Sequence, residues 1–171
     1  MTHSLVLQLR FTRSEFIRAL EGVSETDAKR RLEPMNCISW ILGHLANQEQ
    51  RYWIMRPGLP LIYPDLNALV GYGSPPTQPS LTEMRRAWTD ITTATDRYLE
   101  TLDPERMQQF FTVPGKVTKV NESIGTLLLR NIYHYWYHLG EIMSIRQMLG
   151  HKDLPELIGS MAQAPYLPEE S

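Results

Sequence analysis

His134 and His138 stand four residues apart in the run Ile124–Met148, which carries no proline. On a helix that spacing places two imidazoles on one face, one turn apart, with Cβ atoms about 5–6 Å from each other. Two such rings can chelate one divalent ion. A transition metal that keeps a position free for substrate takes at least three protein ligands, with Zn–N distances of about 2.0–2.1 Å. The third candidate is His44, inside the apolar run Ser39–Leu45. Three histidines from two helices make a reactive site rather than a closed structural one. Gln48, Asn131 and Glu141 fall one turn from these ligands, where they can orient the rings or accept a proton, and Glu141 is the candidate general base.

The stripe that carries the pair reads Ile124, Leu127, Asn131, His134, His138, Glu141, Ile145, Met148, apolar at its ends and polar in the middle. Burying four neighbouring polar groups is costly unless they find partners, and a metal ion supplies one. The adjacent stripe Leu128, Ile132, Tyr135, Leu139, Ile142, Leu149 is more apolar, so a second arrangement has that stripe facing the core and the histidines facing water. Other metal motifs are absent. No glutamate follows His134 as in zinc metalloproteases, and no Glu-x-x-His pair supports a di-iron carboxylate site.

Four long helices are expected to position these residues. The first runs from about Ser4 to Val23 on the stripe Val6, Leu9, Phe16, Leu20, interrupted by Arg13. Arg13 either receives a substrate anion or buries its stem with its head in water. Ser24–Leu32 allows a short helical turn. The second helix spans Asn36, read as its cap, to Met55, with Ile38, Ile41, Leu45, Tyr52 and Met55 inward. Arg56–Pro79 holds six prolines and three glycines and reads as a crossover loop without regular helix. The third helix opens on the capping box Ser80-Leu81-Thr82-Glu83 and stops at Asp103-Pro104. A short hairpin or loop is expected over 110–120. The fourth helix then runs from about Asn121 to Leu149, capped by Gly150, and residues 151–171 form a tail packed across the bundle. The implied fold is all-α, one domain over 1–171, a four-helix bundle of up-down-down-up order with the crossover between helices 2 and 3.

Composition agrees with that class. The chain has 171 residues, 42% hydrophobic and 21% charged, and a net charge of −2. No Lys/Arg block exists to hold nucleic acid, no run is long and apolar enough for a membrane span, and Arg10 and Arg13 come too early for a secretory signal, so a cytoplasmic protein is expected. The single cysteine, Cys37, fits a reducing compartment and reads as a small core residue. His3 and His151 lie outside the strong motifs and are expected in solvent. Tyr63, Tyr72 and Tyr166 are candidates to wall the cleft.

Ser39-Trp40-Ile41-Leu42-Gly43-His44-Leu45 resembles the second-helix signature of the DinB superfamily. His134-x-x-x-His138-x-Gly140-Glu141-Ile142, followed by Arg146-Gln147-x-Leu149-Gly150, resembles its last-helix signature. The resemblance implies a homodimer of four-helix bundles, with a nickel, zinc or iron ion on His44, His134 and His138. It further implies a metal-dependent transferase or isomerase that uses a low-molecular-weight thiol such as bacillithiol or mycothiol, acting on a small-molecule substrate. A metal-assisted hydrolase with Glu141 as base, and a metal-binding or dimeric module without catalysis, are the two other functions this sequence admits.

Overall fold

The computed structural model describes residues 2–112 and 121–167, and its elements are helices. They are α1 (Ser4–Ala19), α2 (Glu25–Lys29), α3 (Ile38–Gln50) continued by a π-helical segment (Arg51–Met55), α4 (Leu66–Val70), α5 (Leu81–Leu99), α6 (Pro104–Met107) and α7 (Ile124–Met148). The all-α class follows. The hairpin expected over 110–120 lies largely outside the described residues.

Helix starts are fixed by short polar side chains that accept the first free backbone N–H groups. Ser24, Ser80, Asp103 and Ser123 accept from Asp27, Glu83, Arg106 and Thr126 respectively. Ser123 therefore sets the start of α7, three residues later than the sequence pattern alone suggests. α3 begins at Ile38 behind Cys37, which makes no side-chain cap bond, so Asn36 is not the cap. At α5 only the Ser80 half of the capping box forms as expected. The next donors, Leu81 N and Thr82 N, go to the Glu25 carboxylate at 3.0 and 3.3 Å, which pins α2 to the start of α5.

Two short helices were not legible from composition. Pro64 and Pro75 bracket a proline-free stretch in the crossover, long enough for the single turn α4, whose Leu66 and Val70 are buried against α3. Pro104 starts α6 rather than merely ending α5, because proline at the first helical position loses no intrahelical bond. The π segment widens the end of α3 by one residue, so Trp53 and Ile54 enter the core where the three-and-four stripe had placed Tyr52 and Met55.

α3 packs against α5 and α7, and α1 packs against α7. Because α7 has neighbours on two sides, both of its stripes are used: Leu128, Ile132, Tyr135, Leu139 and Ile142 are buried, and so are Leu127, Asn131, His138 and Ile145. The choice between stripes posed by the sequence thus has the answer that residues of both are buried: His134 and Asn131 meet α3, and Tyr135 reaches both α1 and α3. Gly150, at φ +80°, lets the chain turn back so that its N–H and that of His151 bond to Gln147 O and Arg146 O. The tail then runs over α1, where Gln8 donates to Ala164 O at 2.9 Å and Ile158 N donates to Glu15 at 2.6 Å. Among the described residues no helix is long and apolar enough to cross a membrane.

Candidate metal centre

His44 projects from the middle of α3, and His134 and His138 from the middle of α7. Their ligand nitrogens all lie within 4.8 Å of one another. His134 Nε2 is 3.0 Å from His138 Nε2 and 3.4 Å from His44 Nε2. A tetrahedral ion with Zn–N bonds of about 2.0–2.1 Å has ligand–ligand edges of about 3.3 Å, so both spacings suit a shared ion.

The outer ring nitrogens decide what the inner ones can do. His44 Nδ1 lies 2.8 Å from the carbonyl of Val70, which only accepts, so Nδ1 carries the proton and Nε2 is a bare lone pair. His138 Nδ1 lies 2.5 Å from Glu141 Oε2 and donates to that carboxylate, which fixes the same tautomer. His134 Nδ1 is buried without a hydrogen-bond partner among the described residues. Two bare lone pairs therefore converge on a third imidazole, which can offer a proton to only one of them. A divalent cation satisfies all three at once, and the donor set fits it.

Protonation of the cluster is suppressed. Burial is the main cause, and it pulls His134 and His138 from 6.5 down to about 3; the neighbouring imidazoles add to the effect. Burial lowers His44 as well, opposed in part by its bond to Val70 and by Glu141. Burial raises the Glu141 carboxyl, against a hydrogen bond from Tyr137. The rings are thus held neutral, the form that binds metal.

The cluster sits where two clefts meet, one of about 820 Å³ and one of about 380 Å³, with His44, His134 and Tyr72 lining both. Family comparison bears on the same residues. A model of the DinB superfamily matches residues 8–142, most of the chain and all three histidines. The chain belongs to the DinB superfamily. Among curated proteins none matches it. In this DinB member the three-histidine group can hold a metal ion.

The other singled-out residues divide. Glu141 contacts His138 directly. Asn131 does not reach the imidazoles: its amide donates to Gln48 Oε1 at 2.9 Å and its carbonyl accepts from Trp53 Nε1 at 2.8 Å, so Gln48 and Asn131 clamp α7 to α3 beside the site. Tyr72 walls both clefts, whereas Tyr63 bonds to Asp90 over α5 and Tyr166 is exposed on the tail. Arg13 is not open to a substrate anion, because its buried guanidinium is taken by Glu49, Thr95 and Asp96. Nor are His3 and His151 free in solvent: His3 caps α1, and His151 meets Arg146 and Asp27. Cys37 is buried, as a core residue should be.

Sequence reasoning missed two supports of His44. One is the Val70 carbonyl, invisible because a backbone atom of a loop helix leaves no side-chain signature. The other is Trp40, stacked on the His44 ring at 4.8 Å and 13°. Its position four residues earlier on the same helix face was the available signal.

Proposed function

We propose that this DinB member is a metal-dependent enzyme that transfers or isomerises through a low-molecular-weight thiol. The reading includes an up-down-down-up order of α1, α3, α5 and α7, supported by Gly43 lying near Met84 while Gln48 meets Asn131 and His44 meets His134. It takes a small-molecule substrate and a second copy of the chain as partners.

The observation that carries it is the pair of tautomer-locked imidazoles facing a third at a cleft. His44, His134 and His138 would hold a zinc, nickel or iron ion, which when bound keeps a thiol sulfur ionised at neutral pH. The protein's own part is preparatory. Val70 and Glu141 point two lone pairs inward, buried Trp40 stacks on the His44 ring and keeps water from that side, and the two clefts receive the thiol and the electrophile. Since Glu141 is already engaged by His138 and Tyr137, it serves here as a positioning residue, and the thiol reading is favoured over hydrolysis with Glu141 as base.

Element analysis of natively purified protein should find one divalent ion per chain, lost in the single His44→Ala, His134→Ala and His138→Ala variants. With bacillithiol, mycothiol or glutathione and a generic electrophile, the loaded protein should consume thiol faster than His138→Ala. Equal rates would refute the transferase reading, and turnover without thiol would replace it with hydrolysis.

A further inference from the structure

The larger cleft has a chemistry of its own. Besides His44 and His134 it is lined by Arg51, Arg56 and Arg130, and by no acidic residue among those described. That concentration of cations stands out in a chain of net charge −2. Arg130 is paired with Glu122 through both carboxylate oxygens. Among the described residues Arg51 reaches only the neutral Asn67 side chain, at 3.3 Å. Arg56 lies 4.4 Å over the Tyr52 ring, and its Nη1 is buried without a hydrogen-bond partner among the described residues. Among the described residues, one carboxylate thus faces three guanidinium groups, and two positive charges lack a counterion within ion-pair distance.

Leaving a guanidinium half-buried and unpaired is unfavourable, and cations gathered in one cleft repel each other. Burial, together with Arg51 and Arg130, lowers the proton affinity of Arg56. Guanidinium forks match carboxylate and phosphate oxygens in geometry as well as charge. A cleft of about 820 Å³ is also of the size that holds a small molecule. We propose that this cleft is the subsite for the doubly negative end of a small acidic molecule, a dicarboxylate or its equivalent, that reacts at the adjoining histidine triad. The inference rests on the metal-enzyme reading for the word reacts, and on the arginines alone for binding. The charges belong either to the thiol or to the electrophile.

Titrating succinate into metal-free protein at low ionic strength should give saturable binding of one molecule per chain. Arg51→Gln and Arg56→Gln should each weaken it at least tenfold, and added salt should weaken it in the wild type. Arg51 is exposed, so Arg51→Gln should keep the wild-type melting curve and remain informative even where Arg56→Gln does not fold. The His138→Ala variant, altered outside this cleft, should bind succinate as the wild type does. No saturable binding, or unchanged affinity in Arg51→Gln, overturns the proposal. Failure of the metal reading is separately visible as succinate binding by a protein that takes up no zinc. On zinc-loaded protein, mercaptosuccinate binding at least tenfold tighter than succinate, with the gain lost in His138→Ala, assigns the charges to the thiol. Equal binding of the two assigns them to the electrophile.

Discussion

At His138 the two ring nitrogens face different worlds: Nδ1 is held by Glu141 and Nε2 looks at His134. Replacing Glu141 with Gln keeps an acceptor but removes the charge that makes the ring a strong donor of its lone pair. Metal affinity should fall about 10–100-fold, read by competition with a chromogenic chelator. The lowered proton affinities make a second prediction, with a sign. An unfolded histidine titrates near 6.5, whereas folded, metal-free His134 and His138 titrate at about 3. Above 6.5 both states are neutral and these groups contribute no pH dependence. Below it the unfolded chain takes up protons that the fold refuses, so stability drains away progressively from 6.5 towards 3. The melting temperature of the metal-free wild type should therefore drop more steeply from pH 7 to pH 4 than that of His134→Gln/His138→Gln, which cannot titrate there. Parallel curves would show that the rings are not buried as described. The convergence of His134 and His138, two of the three candidate ligands, was legible in the sequence because a spacing of four on a helix dictates a shared face. The arginine cleft was not, since Arg51 and Arg56 come from the π segment and its exit, where no periodicity marks a face.

At Gly43 α3 lies close to both α4 and α5. A Cβ there would sit 2.4 Å from Met84 Sδ and 3.2 Å from a Val70 methyl. Met84 can swing aside, but Val70 belongs to the turn whose carbonyl holds His44. Gly43→Ala should thus be mild, crowding being offset by a gain of about 1 kcal/mol in helix propensity. Gly43→Val gains less in propensity and adds two methyl groups to the crowding, so it should cost about 1–3 kcal/mol, measured by the denaturant midpoint. It should also weaken metal binding, because α4 is pushed from the His44 ring; wild-type affinity in a folded Gly43→Val would separate α4 from the site. α4 escaped the sequence reading for a related reason. One turn surrounded by prolines has too little length for periodicity to show, and only its packing on α3 makes it stable.

Across the whole molecule, α1, α3, α5 and α7 meet at one buried ion pair. Arg13 donates from Nε to Glu49 Oε1 at 2.8 Å and from Nη2 to Oε2, while Tyr135 donates to Oε1 at 2.7 Å and Thr95 to Oε2 at 3.3 Å. Trp88 closes the network on the Tyr135 hydroxyl at 2.7 Å. The sequence showed Arg13 only as a flaw in an apolar stripe, because the partner that explains it is 36 residues away on another helix and no local pattern joins them. Burial works against the charged guanidinium, but Glu49 outweighs it and Arg13 is raised above its ordinary value. The Arg13 guanidinium therefore keeps its charge inside the core, held by Glu49, which lies five residues beyond His44 on α3. Removing Arg13 leaves Glu49 buried without a cation, and removing Glu49 leaves Arg13 with only the half-exposed Asp96 carboxylate at 2.7 Å. Glu49→Ala should destabilise by about 3–5 kcal/mol, whereas replacing both with apolar residues of similar size, Arg13→Met/Glu49→Leu, should cost much less than either single change. A double-mutant cycle in chemical denaturation checks this, with the pair coupling expected to be strongly non-additive. If the double variant keeps its fold but loses metal affinity, the network sets the register of α3 against α7 and through it the convergence of the three imidazoles. Wild-type affinity in the double variant would assign it to stability alone.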